Sequence, residues 1–173
     1  MARDQGPDVV LNPQQMNILI PTVSPESVEA LVFDLGGVLL DVQLQRTLRA
    51  FEALDIRGLG AAEVIDGNRA CFRDLELGLI TQEEFAEAVR RTFPAVAAIP
   101  DEQLLEAWNA MLMPFDAQRV ELLRELGKRC PVYLLSNTNL PHRIRFRESF
   151  RERFGGSFDE LFVRCFYSDE LHL

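Results

Sequence analysis

The chain reads as an α/β protein: a parallel sheet carrying an inserted helical bundle. Three observations predict this. Two short apolar runs, Val28–Asp34 and "PVYLLSN", each stop at polar or glycine-rich turns, as buried strands do. A third such run, "LFVRCFYS", closes the chain. Between the first two lie about a hundred residues with apolar positions at helical spacing. Strands alternating with helices build parallel sheets through crossovers. The block after the first strand is too long for one crossover, so it predicts a crossover helix plus a bundle of about four helices.

Taken in order, residues 1–27 are rich in Pro, Gln, Asn and Asp and read as a tail, in which "MNILI" could dock on the domain. After the first strand, "QLQRTLRAFEAL" has a helical apolar face. "AAEVIDGNRACFRDLELG" follows, with Gly78 as a C-terminal stop. "TQEEFAEAVRRTF" opens with Thr81 and carries Glu84 three positions on, a capping box. "PDEQLLEAWNAML" begins with proline and acids and stops before Pro114. Asp116 is the expected N-cap of "AQRVELLRELGKR", whose basic end suits the helix dipole. Pro131 precedes the second strand and Ser136-Asn137-Thr138-Asn139 follows it. "HRIRFRESFRERF" is a basic amphipathic helix ending at Gly155-Gly156. The expected division is a tail at 1–27, a sheet body at 28–43 and 114–173, and a helical block at 44–113. Phe72, Phe85 and Trp108 read as core.

Acids outnumber bases 27 to 18, for a formal charge of -9. A nucleic-acid surface needs the opposite excess, so no nucleic-acid partner is expected. Three scattered cysteines, an odd number without metal-like spacing, read as free thiols in a reducing compartment. Neither a signal-peptide core nor a membrane-length apolar run is present. The expectation is a soluble cytoplasmic protein without a membrane partner.

In open parallel sheets ligands bind beyond the carboxyl ends of the strands. Asp34 and Ser136 both stand at such ends, and neighbouring parallel strands bring them to one crevice. A hydroxyl and exposed backbone N–H groups suit a phosphate oxygen. A carboxylate beside it suits in-line attack on phosphorus. The glycines after Asp34 let the backbone turn sharply and leave room for a ligand.

Here the residues resemble a known family. "VFDLGGVLLD" is similar to the first motif of the haloacid dehalogenase-like hydrolases. "YLLSNTNLPH" resembles the second, in the form found in a glucose-1-phosphatase-like branch, and "LELGLITQEEF" resembles part of that branch's helical cap. The resemblance, over about Leu31 to Leu173, implies a Rossmann-like core and a phosphatase of small phosphorylated metabolites. It implies Asp34 as the nucleophile that forms an aspartyl-phosphate and, with the Gly36 carbonyl, as a holder of Mg²⁺. Ser136 and Asn137 would bind the phosphate, and His142 would reach the substrate or cap a helix. The helical block would close over the pocket and exclude water.

The sequence also departs from that pattern. Gly36 stands where most phosphatases of the superfamily have a second aspartate, and Asp41, the nearest other acid, reads as a structural or cap-contact residue. "YSDELHL" resembles the lead-in to the family's lysine motif, and neither that lysine nor the later acid pair has a counterpart. Lys128 comes before the second strand, at the wrong end of the sheet. A carboxylate about 4 Å from a phosphate charge is repelled by roughly 4 kcal/mol at an effective dielectric near 20. Arg143, Arg145, Arg147 and Arg164 are the remaining cations, the first three read as a solvated helix face, and Asp169 and Glu170 would be makeshift metal ligands at most. The first strand would be a sheet edge open to self-association, unless "MNILIP" covers it. The expectation is a truncated, incomplete form with very weak or absent turnover. The rival readings are a catalytically disabled binding or regulatory protein, and a 2-haloacid dehalogenase.

Overall fold

A computed structural model describes residues 24–64 and 70–172. Most of the expected tail, with its "MNILIP" segment, lies outside the described residues, as do 65–69 and Leu173.

Three parallel strands form the sheet, in the order β1 (Leu31–Phe33), β2 (Val132–Ser136), β3 (Arg164–Tyr167). Leu31 pairs with Val132, and Phe33 with Leu134, which in turn faces Cys165. β1 is shorter than the expected Val28–Asp34, because only three of its residues find partners on β2. It is the edge strand among the described residues. Alternation along β2 buries Val132, Leu134 and Ser136 and turns Leu135 outward.

The helices are α1 (Leu44–Ala53), α2 (Ala61–Val64), α3 (Ala70–Glu76), α4 (Gln82–Thr92), α5 (Asp101–Asn109), α6 (Ala117–Gly127), α7 (Leu140–Phe154) and α8 (Ser168–Leu171). Their ends follow local chemistry. Thr81 Oγ1 accepts from Glu84 N–H while the Glu84 carboxylate accepts from Thr81 N–H, so the capping box at α4 is complete. Asp116 caps α6 by accepting from the N–H groups of Gln118 and Arg119. α7 stops at Gly155, whose φ of 70° lies in the region that favours glycine.

Two apolar clusters divide the molecule. One lies among α1–α5 and centres on Phe51, Phe72, Phe85 and Trp108. The other joins the sheet to α6 and α7 through Leu134, Phe115, Phe146 and Phe150. Between them the chain crosses twice, side by side. Val42 bridges Leu112 antiparallel, Gln43 N–H donates to Met111 O at 2.8 Å, and Met113 N–H donates to Asp41 O at 3.0 Å. Thr47 reinforces the junction of α1 with α5. Its buried hydroxyl donates to Trp108 O and accepts from Met111 N–H.

Candidate phosphate-ester site

A cavity of about 180 Å³ opens where the sheet meets the helical cluster. Leu35 and Gly36, just after β1, form one wall, and Ser136, Asn137 and Thr138, at the end of β2, form another. Both loops are held from within. Gly37 takes a φ of 76° and donates its N–H to Leu40 O at 2.7 Å, which folds the chain back after Asp34. Ser168 Oγ, at the start of α8, accepts from Thr138 N–H and donates to Asn137 Oδ1.

Ser136 is buried, lines the cavity, and its hydroxyl has no partner among the described residues. That leaves a hydrogen-bond donor facing the cavity. Asp34 stands one residue beyond Phe33, which pairs with Leu134, so Asp34 and Ser136 both follow at the carboxyl ends of adjacent strands. Asp34 is solvent-exposed, and its Oδ1 accepts from Leu35 N–H at 2.7 Å. The cavity wall therefore brings together Gly36, Ser136, Asn137 and His142, with Asp34 adjoining it through Leu35 rather than lining it.

His142 sits in the first turn of α7. Asn139, the N-cap, accepts from His142 N–H through Oδ1. The imidazole stacks on Trp108, with ring centres 4.9 Å apart and an angle of 11°. Its Nδ1 lies 2.7 Å from Asn109 Oδ1. An amide oxygen only accepts, so Nδ1 carries the proton and Nε2 presents a lone pair. Burial pushes the imidazole down to about 3, which keeps it neutral. His142 thus does not offer a phosphate a positive charge.

The expected cations and acids are used elsewhere. Arg143 was read as part of a solvated helix face. Instead it is buried, because Asp169 and Glu170 of α8 reach its guanidinium, the first through Oδ2 at 2.9 Å. Those two acids are thereby engaged. Among the described residues no group of three His, Cys, Asp or Glu side chains is placed to hold a metal. Arg147 pairs with Asp159, and Arg145 and Arg164 are exposed. Asp41 pairs with Arg119 at the surface, and Lys128 sits beside Glu125 at the end of α6. No described lysine or arginine lines the cavity.

Glu76 was missed by sequence reasoning. It ends α3, lines the cavity, and accepts from Asn139 Nδ2 at 2.6 Å through Oε1. Burial raises its carboxyl above the usual range, the Asn139 bond opposes that, and the charge of Asp169 adds to it. A signal was present: Glu76 lies in the quoted "LELGLITQEEF". Trp108, read as core, is indeed buried, and it also forms a wall of the cavity.

No protein-family model matches the chain. D-ribitol-5-phosphate phosphatase of Bacteroides thetaiotaomicron is 27% identical over 112 residues, which is 65% of this chain and 53% of that enzyme. A HAD family enzyme of the same organism, crystallised with magnesium and inorganic phosphate, superposes with a TM-score of 0.75 at 26% identity. The match covers 84% of this chain and 71% of that one. A HAD-like family hydrolase from Porphyromonas gingivalis gives 0.71 at 27% identity, over 84% and 68%. This chain is similar in sequence and in fold to these HAD proteins. Its α/β fold with a parallel sheet is that of these HAD neighbours. The chain spans about half the length of the curated relative it matches. Among the described residues no helix is long and apolar enough to cross a membrane.

Proposed function

We propose that this chain is a phosphatase of small phosphorylated metabolites that works through an aspartyl-phosphate on Asp34. The observation that carries this reading is Ser136, a buried residue whose hydroxyl has no partner among the described residues and which lines a cavity together with Leu35 and Gly36, right after Asp34. The phosphate would take hydrogen bonds from Ser136 Oγ and from the Asn137 amide. Asp34, with Oδ1 on the Leu35 N–H, would attack phosphorus through Oδ2 while the ester oxygen leaves. Water would then hydrolyse the aspartyl-phosphate.

The donor set fits a Mg²⁺ ion. One carboxylate, Asp34, and one carbonyl, Gly36, suit an ion that keeps several waters and leans on substrate phosphate, which is how Mg²⁺ is commonly bound. They do not form a closed protein cage. Mg²⁺ would supply positive charge that no described side chain brings to the cavity. The magnesium and phosphate of the HAD neighbour, and the phosphatase activity named for the curated relative, support the reading.

Residues 44–113 would act as a cap over the site, with 28–43 and 114–173 as the core. The free-thiol reading of the cysteines favours a reducing, cytoplasmic setting. The exposed β1 edge would allow copies of the chain to associate.

The test is p-nitrophenyl phosphate hydrolysis by the purified chain in Mg²⁺. Slow release of p-nitrophenol is expected, and Asp34→Asn should abolish it. Ser136→Ala should raise KM by about tenfold, the loss of one hydrogen bond to a charged group. Turnover that survives Asp34→Asn ends the proposal.

A further inference from the structure

The cavity lining has a second chemical character besides that of the strand-end loops. Its other walls are hydrocarbon and aromatic: Val42, Val64, Trp108, Met111, Leu112 and Phe146. Two polar side chains from outside the strand-end loops interrupt them, Glu76 and His142. Each is fixed by a neighbour. Glu76 Oε1 is held by Asn139 Nδ2, and no described residue bonds its Oε2. His142 gives its Nδ1 proton to Asn109 and leaves Nε2 as an acceptor. Asn139 is fully buried and also accepts from Trp108 Nε1–H and from the backbone N–H of His142, so the Glu76 carboxyl, the Trp108 indole and the first turn of α7 are tied to one side chain.

Among the described residues the result is a chamber with these two acceptors, apolar walls and no lining lysine or arginine. Its ligand must bring donors on a carbon frame and no charge of its own. Hydroxyl groups meet that demand. A second anion does not, because it would face Glu76 without a compensating cation among the described residues.

We propose that Glu76 is the specificity-determining residue of the site, selecting phosphate monoesters whose leaving group is neutral and hydroxylated. His142 Nε2 is the second acceptor for the same group. This rests on the phosphatase reading, since it assumes that the phosphate lies at Ser136.

Binding to the purified chain in Mg²⁺, by titration calorimetry, separates the two ideas. The probes are inorganic phosphate, propyl phosphate, glycerol phosphate and phosphoglycolate. Propyl and glycerol phosphate share a three-carbon frame and differ in hydroxyls. The wild type should bind glycerol phosphate about tenfold more tightly than propyl phosphate, the size of one or two hydrogen bonds. Glu76→Ala should bring that ratio near one. Glu76→Gln, which can keep the bond to Asn139, should strengthen phosphoglycolate binding by about tenfold, since it removes a repelling charge. A merely structural Glu76 would give no such gain and would weaken all four ligands together; that pattern overturns the inference. So does a glycerol-to-propyl ratio that is near one in the wild type or unchanged in Glu76→Ala. If inorganic phosphate itself fails to bind, the phosphatase reading falls and takes this inference with it.

Discussion

His142 lies flat against Trp108 with its Nδ1 proton on Asn109, and burial pushes its pKa down to about 3. An unfolded histidine titrates near 6.5. Between those values the unfolded chain binds a proton that the native chain refuses, so stability falls as pH falls through that window. The slope is about 1.4 kcal/mol per pH unit, or about 2 kcal/mol between pH 6.5 and 5. Glu76 and Asp169 act in the opposite sense. Burial raises both carboxyls, so their contribution is complete below the ordinary carboxylate range and fades as pH climbs through the raised values. The His142 part is therefore read as a difference. Urea unfolding of wild type and His142→Gln at pH 5 and 7 should show the wild type losing about 2 kcal/mol more on acidification. Parallel losses would mean that the imidazole takes up its proton in the folded state.

At the scale of elements, α3 and α8 meet where a side chain has no room. Gly78, just past α3, has a φ of 64°, and a Cβ there would come within 2.2 Å of Asp169 O. Gly78→Ala should cost at least about 2 kcal/mol, from strain plus displacement of α8, measured as a lower urea midpoint. The pair between α7 and α8 is equally exposed to damage. Arg143 and Asp169 are both buried, and Asp169 Oδ1 has no hydrogen-bond partner among the described residues. Arg143→Leu leaves that carboxylate uncompensated and should cost about 3–5 kcal/mol. Adding Asp169→Leu should recover most of the loss, because an apolar pair removes the stranded charge. A double variant no better than the single one would place the cost in packing.

These elements also mark how far the sequence could be read. The caps at Thr81 and Asp116 were legible because their partners lie two or three residues away. Asp34 and Ser136 were legible because a strand ends at each. Arg143 was not, since the acids that bury it stand 26 and 27 positions further on. Glu76 was hidden for the same reason: its partner Asn139 is 63 positions away, and the helical pattern around it shows no sign of a cavity.

At the scale of the molecule, the described residues cover one face of the sheet and leave apolar side chains exposed on the other. Val32 is 64% exposed and Leu135 57%, although parallel sheets are usually buried on both faces. With β1 at the edge, this surface should drive concentration-dependent association of the described fold. Val32→Lys should shift sedimentation toward monomer and leave Asp34 chemistry untouched. An unchanged distribution would put the contact elsewhere.

The paired crossing at Val42 and Leu112 carries one more consequence. To the sheet, the roughly 70 positions between those residues are a single loop whose two ends already touch. Closing a loop costs only about 0.6 kcal/mol more for each doubling of its length. Natural insertions, deletions or a transplanted bundle can therefore be accommodated between these two residues at small entropic expense. A graft in that interval would alter what the pocket admits while Asp34 and Ser136 keep their places at the strand ends.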